Sequence, residues 1–205
     1  MGGKLGSILA CGYSIDLEER GLLRDSGGCP LPGWHVSGPD SASAGSRSTL
    51  VGAMKTFANP VDRQSAVHRL AQLQPIHQAR WGRMSAHQML CHLSDSFRAV
   101  MGDKSVSPAT GLLQRTLVKW VALNSPFPWP RGVPTRPEMD QFVGGTAPVE
   151  FDADRKSLVV LFDRFSNPQR DFEWTPHPIF GPMQDPDWRR WGYLHTDHHL
   201  RQFGL

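Results

Sequence analysis

Apolar residues along this chain fall into helical stripes from about residue 60 onward. After Asn59-Pro60, a cap followed by a proline suited to a first helical turn, Ala66, Val67, Leu70 and Leu73 line one face until Pro75 stops the pattern. A second stripe, Met89, Leu93, Phe97 and Val100, opens at Ser85. There Ser85 and Gln88 form a capping box that ties down two otherwise unpaired amides, and Gly102 closes the helix after Met101. A shorter helix is predicted over 111–123, through Leu113, Leu117, Trp120 and Val121. Leu158, Leu161, Phe162 and Phe165 stand at i, i+3, i+4 and i+7 in a helix that starts after Asp152 and ends at Asn167-Pro168. The last helix takes Asp185 as cap, Pro186 at its first position and Asp187 in its first turn, and runs to about Phe203 before Gly204. Prolines 126, 128, 130, 134, 137 and 148 rule out regular helix or central strand in between, so this stretch reads as a long Pro/Gly-rich loop.

Four amphipathic helices with no convincing strand predict an all-α fold, an antiparallel four-helix bundle with one extra short helix and the long loop. The predicted domain is 54–205. Residues 1–53 read differently: Gly, Ser, Asp and Pro are frequent, and apolar residues occur as isolated pairs such as Ile8-Leu9 and Leu22-Leu23. Such a segment cannot bury enough apolar surface to offset its ordering entropy and is expected to be disordered. Met54 is the expected start of the natural protein, the upstream part being an over-extended gene start.

Charge narrows the function little. A net +3 from 22 basic and 19 acidic residues is too mild to suggest a nucleic-acid partner. Arg189-Arg190, the densest basic pair, reads as a solvated helix face. The three cysteines, Cys11, Cys29 and Cys91, include no C-x-x-C, which argues against a disulfide framework or a cysteine metal site and fits the cytoplasm. No apolar run approaches a membrane span. The stretch before Cys11 is too short for a secretion signal, and Ser7 lies one residue beyond the place a myristoylation motif requires.

The chemistry gathers on the last helix. At about 100° per residue, His195 and His199 lie about 40° apart on the face that also carries Trp188, Trp191, Gln202 and Phe203. Imidazoles at i and i+4 can converge on one cation; a pair of hydrogen-bonded core histidines is the plainer alternative. Bundles build metal sites from facing helices, and His92, in line with Ser85, Gln88, Met89 and Ser96, is the candidate third ligand. His87 lies about 140° away from it and is expected to face elsewhere. Asp95 and Gln202 could orient the ligand rings, although Asp95 could equally pair with Arg98. His177 reads as an ordinary loop residue, a substrate-facing group or a fourth ligand, and Trp129 as a residue at the mouth of the site or packed under the loop.

Several segments resemble a known family. Trp81 through Arg98, with its His92-Leu93-Ser94-Asp95 core, is similar to the second helix of the DinB/YfiT-like superfamily. His195-x-x-His198-His199-x-x-Gln202-Phe203-Gly204 is similar to that superfamily's closing signature. Phe127-Pro128-Trp129-Pro130, Gly144-Gly145-Thr146-x-Pro148 and His177-Pro178-x-Phe180-Gly181-Pro182 resemble a sub-branch of unknown function. The similarity spans nearly all of 54–205 and none of 1–53. It implies a bundle with a three-histidine metal site, mapping here onto His92, His195 and His199. It further implies a divalent metal, zinc or nickel, and thiol-dependent S-transfer with a low-molecular-weight thiol. Three neutral ligands would leave the ion's charge undiminished and a position open, which suits activation of water or a thiol toward a small-molecule substrate. The competing expectation is a non-enzymatic metal-binding or homodimerising helical module.

Overall fold

The computed structural model describes residues 54–109 and 111–205. The expectations for residues 1–53, including the disordered extension and the gene start, lie outside the described residues. The described chain is all-helical, with α1 (Pro60–Ala71), α2 (Ala86–Val100), α3 (Lys119–Asn124), α4 (Phe151–Ser166) and α5 (Asp185–Gln202). A π-helical turn, Gln114–Val118, leads into α3, and a 3-10 turn, Pro137–Met139, lies between α3 and α4. Among the described residues there is no strand, only an isolated bridge between His177 and Gly181, and no helix long and apolar enough to cross a membrane.

Local chemistry fixes the helix starts. The Asn59 side chain accepts from the Val61 amide at the head of α1, and the Ser85–Gln88 capping box is complete in both directions. Two starts differ from expectation. Glu150, not Asp152, caps α4: its carboxylate accepts from the amides of Asp152 and Ala153. Gln184, not Asp185, caps α5, which places Pro186 at the second helical position. At α4 the longer Glu150 side chain reaches the unpaired amides from two residues upstream of Asp152, and at α5 the Asp187 carboxylate accepts from the Gln184 amide at 3.4 Å.

The four longer helices share one core. Leu70 and Leu73 from the α1 region, Met89, Leu93 and Phe97 from α2, Leu158, Phe162 and Phe165 from α4, and Trp188 and Leu200 from α5 are fully buried. Each such aliphatic or aromatic side chain contributes about 1.5–3 kcal/mol. Gly192 leaves room on α5 for the ring of Phe165. A Cβ there would stand 2.6 Å from Cε1 of Phe165, so any larger residue must displace that fully buried ring.

Two features depart from what the sequence pattern shows. The apolar stripe of the short helix is not core: Leu113, Leu117, Trp120 and Val121 are all exposed, with Leu112 and Phe127 beside them, and only Leu123 of α3 is buried. Periodicity identifies an apolar face but not what lies opposite it, and no described element packs on this one. Arg189 is not on a solvated face either. It is 5 % exposed, donates to the carbonyls of Phe165 and Asn167 at the end of α4, and pairs with Asp185. Its forked guanidinium satisfies helix-end carbonyls that otherwise lack donors. Arg190 likewise donates to the carbonyls of Leu123 and Lys55.

Candidate metal centre

The inner faces of α2 and α5 bring three imidazoles together. His92 and His199 are buried and His195 is half-buried. The ring centroid of His92 lies 5.3 Å from that of His195 and 4.7 Å from that of His199. Nε2 of His195 stands 3.3 Å from Nε2 of His92 and 3.2 Å from Nε2 of His199. Two nitrogens each about 2.0–2.1 Å from a zinc ion and subtending the tetrahedral angle would be about 3.3–3.4 Å apart. The spacing therefore suits one small divalent cation.

Proton bookkeeping leads to the same point. Nδ1 of His92 is 2.9 Å from the carbonyl oxygen of Met139. A carbonyl only accepts, so Nδ1 carries the hydrogen and Nε2 the lone pair. Gln202 donates through Nε2 to the carbonyl of Trp81 at 2.7 Å, which turns its Oε1 toward Nδ1 of His199 at 2.8 Å. The same reasoning leaves a lone pair on Nε2 of His199. Both lone pairs aim at Nε2 of His195, which holds at most one hydrogen for two acceptors. A buried acceptor without a donor is costly, and a cation satisfies all of them at once. Protonating the rings is no remedy. Burial above all holds His92 below its ordinary value and His195 and His199 well below it, with repulsion between the rings adding to the effect at His195 and His199.

The residues around these rings divide unequally. Gln202 orients His199 directly. Asp95 does not reach His92; the partner of that ring is the Met139 carbonyl. Asp95 is fully buried and accepts from the Thr146 amide at 2.7 Å, the Thr146 hydroxyl at 2.6 Å and Gln141 Nε2 at 3.1 Å, with Lys104 Nζ at 3.0 Å. Arg98 stands at 4.0 Å. Asp95 thus ties the segment after the 3-10 turn onto α2, beside the turn that carries Met139, and its charge raises the basicity of His92 without touching the ring. Nδ1 of His195 is buried with no hydrogen-bond partner among the described residues.

His177 is buried away from the three converging nitrogens. Its Nδ1 accepts from the amides of Ile179 and Phe180, both at 3.1 Å, and its ring stacks on Phe180. Burial pushes its pKa down to about 3. It closes its own turn, so neither the fourth-ligand nor the substrate-facing expectation holds. Trp129 donates to the Ala122 carbonyl at 2.7 Å and lays its ring 5.9 Å from His195 and 6.2 Å from His198, so it is held under the loop and borders the site together.

Two contributors were not legible in the sequence. Met139 acts through a backbone carbonyl, which no side-chain pattern reveals. Gly82, at φ +76°, lies where a Cβ would stand 2.8 Å from Nε2 of Gln202, so its lack of a side chain makes room for the group that orients His199. A glycine just ahead of the capping box was the only hint. A second cluster, His87, Cys91 and Asp154, gathers on the other side of α2. There Nε2 of His87 is engaged by Asp154 at 2.7 Å, and burial pushes the Cys91 thiol up to about 12.

Comparison with known proteins gives a family and little else. A family model described as a protein of unknown function, DUF1569, matches residues 54–204. No curated protein and no solved structure matches the chain.

Proposed function

The chain belongs to the DUF1569 family, and from its geometry we propose that it is a metal-dependent enzyme whose single divalent cation is held by His92, His195 and His199. The observation that carries this reading is the shortage of donors among three convergent Nε2 atoms, two of which are fixed as lone pairs by their neighbours. In this reading the four longer helices form an antiparallel bundle of the DinB/YfiT-like kind, and the Pro/Gly-rich loop covers one end of the site. The donor set suits zinc or nickel.

When bound, such a cation keeps its full charge and acidifies a water or thiol at its open position, which supports hydrolysis or S-transfer onto a small electrophile. The chain's own residues do the rest. The Met139 carbonyl and the Gln202 amide hold two rings in the ligating tautomer. Trp129 and Trp191, whose rings lie 5.9 and 5.0 Å from that of His195, keep bulk water off it. A low-molecular-weight thiol is the proposed co-substrate, and the reducing cytoplasm, where Cys91 stays free, the proposed location.

Metal analysis of the purified full chain beside His195→Ala and His199→Ala variants tests the site. About one equivalent in the parent and a small fraction of it in the variants is expected; equal content in all three removes the site. A screen of thiols against electrophilic acceptors, with hydrolysis of the same acceptors measured alongside, then tests the activity.

One observation favours a second reading, a dimerising module with a structural metal. The exposed Leu112, Leu113, Leu117, Trp120 and Val121 form the kind of apolar patch that marks an interaction surface. A metal-loaded protein that is dimeric and inert in the screen would support that reading over the enzyme.

A further inference from the structure

Beside the three histidines lies a cavity of about 210 Å³ lined by Arg80, Trp81, Trp129, Arg131, His198 and Arg201, with Pro128 at its edge. Its chemistry is one-sided. Three guanidiniums reach it and no carboxylate does. Arg201 is paired with Asp197 at 2.5 Å, whereas Arg80 and Arg131 have no ion-pair partner among the described residues. Arg131 lies over the Trp81 ring, 4.4 Å from its centroid, which fixes the guanidinium while leaving its charge unmatched. Trp129 supplies a second indole.

The cavity and the histidine cluster share a wall one ring thick. Trp129 borders both His195 and His198, and the ring of His198 lies 5.1 Å from that of His199. A molecule anchored among the arginines would thus lie one ring away from the histidine cluster.

We propose that this cavity is the substrate's recognition site, and that the substrate is a small molecule with a flat apolar body bearing an anionic carboxylate or phosphate. Arg80 and Arg131 take the anion, and the indoles of Trp81 and Trp129 take the flat body. This rests on the metal-dependent reading for what happens at the far end of the molecule, but recognition belongs to the cavity alone and is measurable without metal. Arginine suits such an anion because its fork can donate two parallel hydrogen bonds to one carboxylate or phosphate, and aromatic faces favour a planar partner.

The test is titration calorimetry on the metal-free full chain with phenyl phosphate, benzoate and the uncharged benzamide, repeated with Arg80→Gln and Arg131→Gln. Both arginines are exposed, so these variants should fold as the parent does, with circular dichroism as the check. Phenyl phosphate or benzoate should bind at least about fivefold to tenfold more tightly than benzamide, and each variant should erase most of that preference. The tighter of the two anions identifies phosphate or carboxylate as the natural group. Equal binding of benzamide and the anions, or a preference untouched by both variants, overturns the proposal. Metal content is measured separately on the same preparations. A chain that binds no metal yet still prefers the anions contradicts the three-histidine reading and leaves the recognition site standing.

Discussion

His177 and His195 both pack against Trp191, with ring centroids 5.4 and 5.0 Å from it, yet their nitrogens meet opposite surroundings. Nδ1 of His177 accepts two backbone amides and has a structural task. Nε2 of His195 faces two lone pairs that it cannot satisfy together. Burial lowers the basicity of both rings, so burial does not tell a ligand from a structural histidine. The count of donors against acceptors does. A ring whose neighbours supply its hydrogen bonds is finished; a set of rings left with surplus lone pairs calls for a cation.

The contrast breaks most readily by substitution. His92→Ala should abolish stoichiometric metal binding, whereas His177→Ala should keep about one equivalent and instead lose about 2–4 kcal/mol of folding stability, from the cavity and two unpaired amides. Metal analysis and urea unfolding on both variants read this out, and metal loss in His177→Ala would erase the distinction.

Asp95→Ala sharpens a second difference, between holding a ring and holding the segment that holds it. Removing this buried carboxylate leaves Lys104 and Thr146 without their partner and should cost about 3–5 kcal/mol in urea unfolding. The Met139 carbonyl should then release His92, weakening metal binding as well. Intact affinity in a destabilised variant would separate the two roles.

Gln202→Met keeps the side chain's length and removes the acceptor for Nδ1 of His199. Loss of such an orienting partner typically weakens a metal site by about 10–100-fold, so competition against a chelator should show about 1.4–2.7 kcal/mol of lost binding. An unchanged affinity would mean that the Gln202–His199 contact does not prepare the ligand.

A last contrast lies in acid stability, which the structural and the converging histidines share. In the metal-free chain His92, His177, His195 and His199 all have folded pKa values below the unfolded value of about 6.5. The unfolded chain therefore binds protons first as pH falls. Stability is complete above about 6.5 and declines from there toward the lowered folded values, near 3 for His177, by up to about 1.4 kcal/mol per pH unit for each ring. Urea midpoints at several pH values should fall on acidification, less steeply in His177→Phe than in the parent. A flat profile would contradict the burial of these rings in neutral form.

Much of this arrangement was legible in the sequence, and the exceptions share a cause. The stripes of α1, α2, α4 and α5 and the facing of His195 and His199 follow from helical periodicity, which needs only local spacing. The exposure of the short helix's apolar face was not legible because periodicity does not record what packs opposite a face. Arg189 misled because its partners are carbonyls at the end of another helix. The roles of Asp95 and Met139 escaped for a related reason: the one binds, and the other supplies, a backbone group brought in by chain folding, and a list of side chains carries no record of it, just as it carries none of the room that Gly82 leaves for Gln202.

X-ray absorption at the metal edge of the natively loaded chain tests the central claim most directly. Three imidazole nitrogens at about 2.0–2.1 Å, with a light atom completing the set and no sulfur, is the expected first shell. A sulfur neighbour would instead point to Cys91 and the His87–Asp154 cluster, and that result, or a spectrum lacking imidazole scattering, would contradict a centre built on His92, His195 and His199.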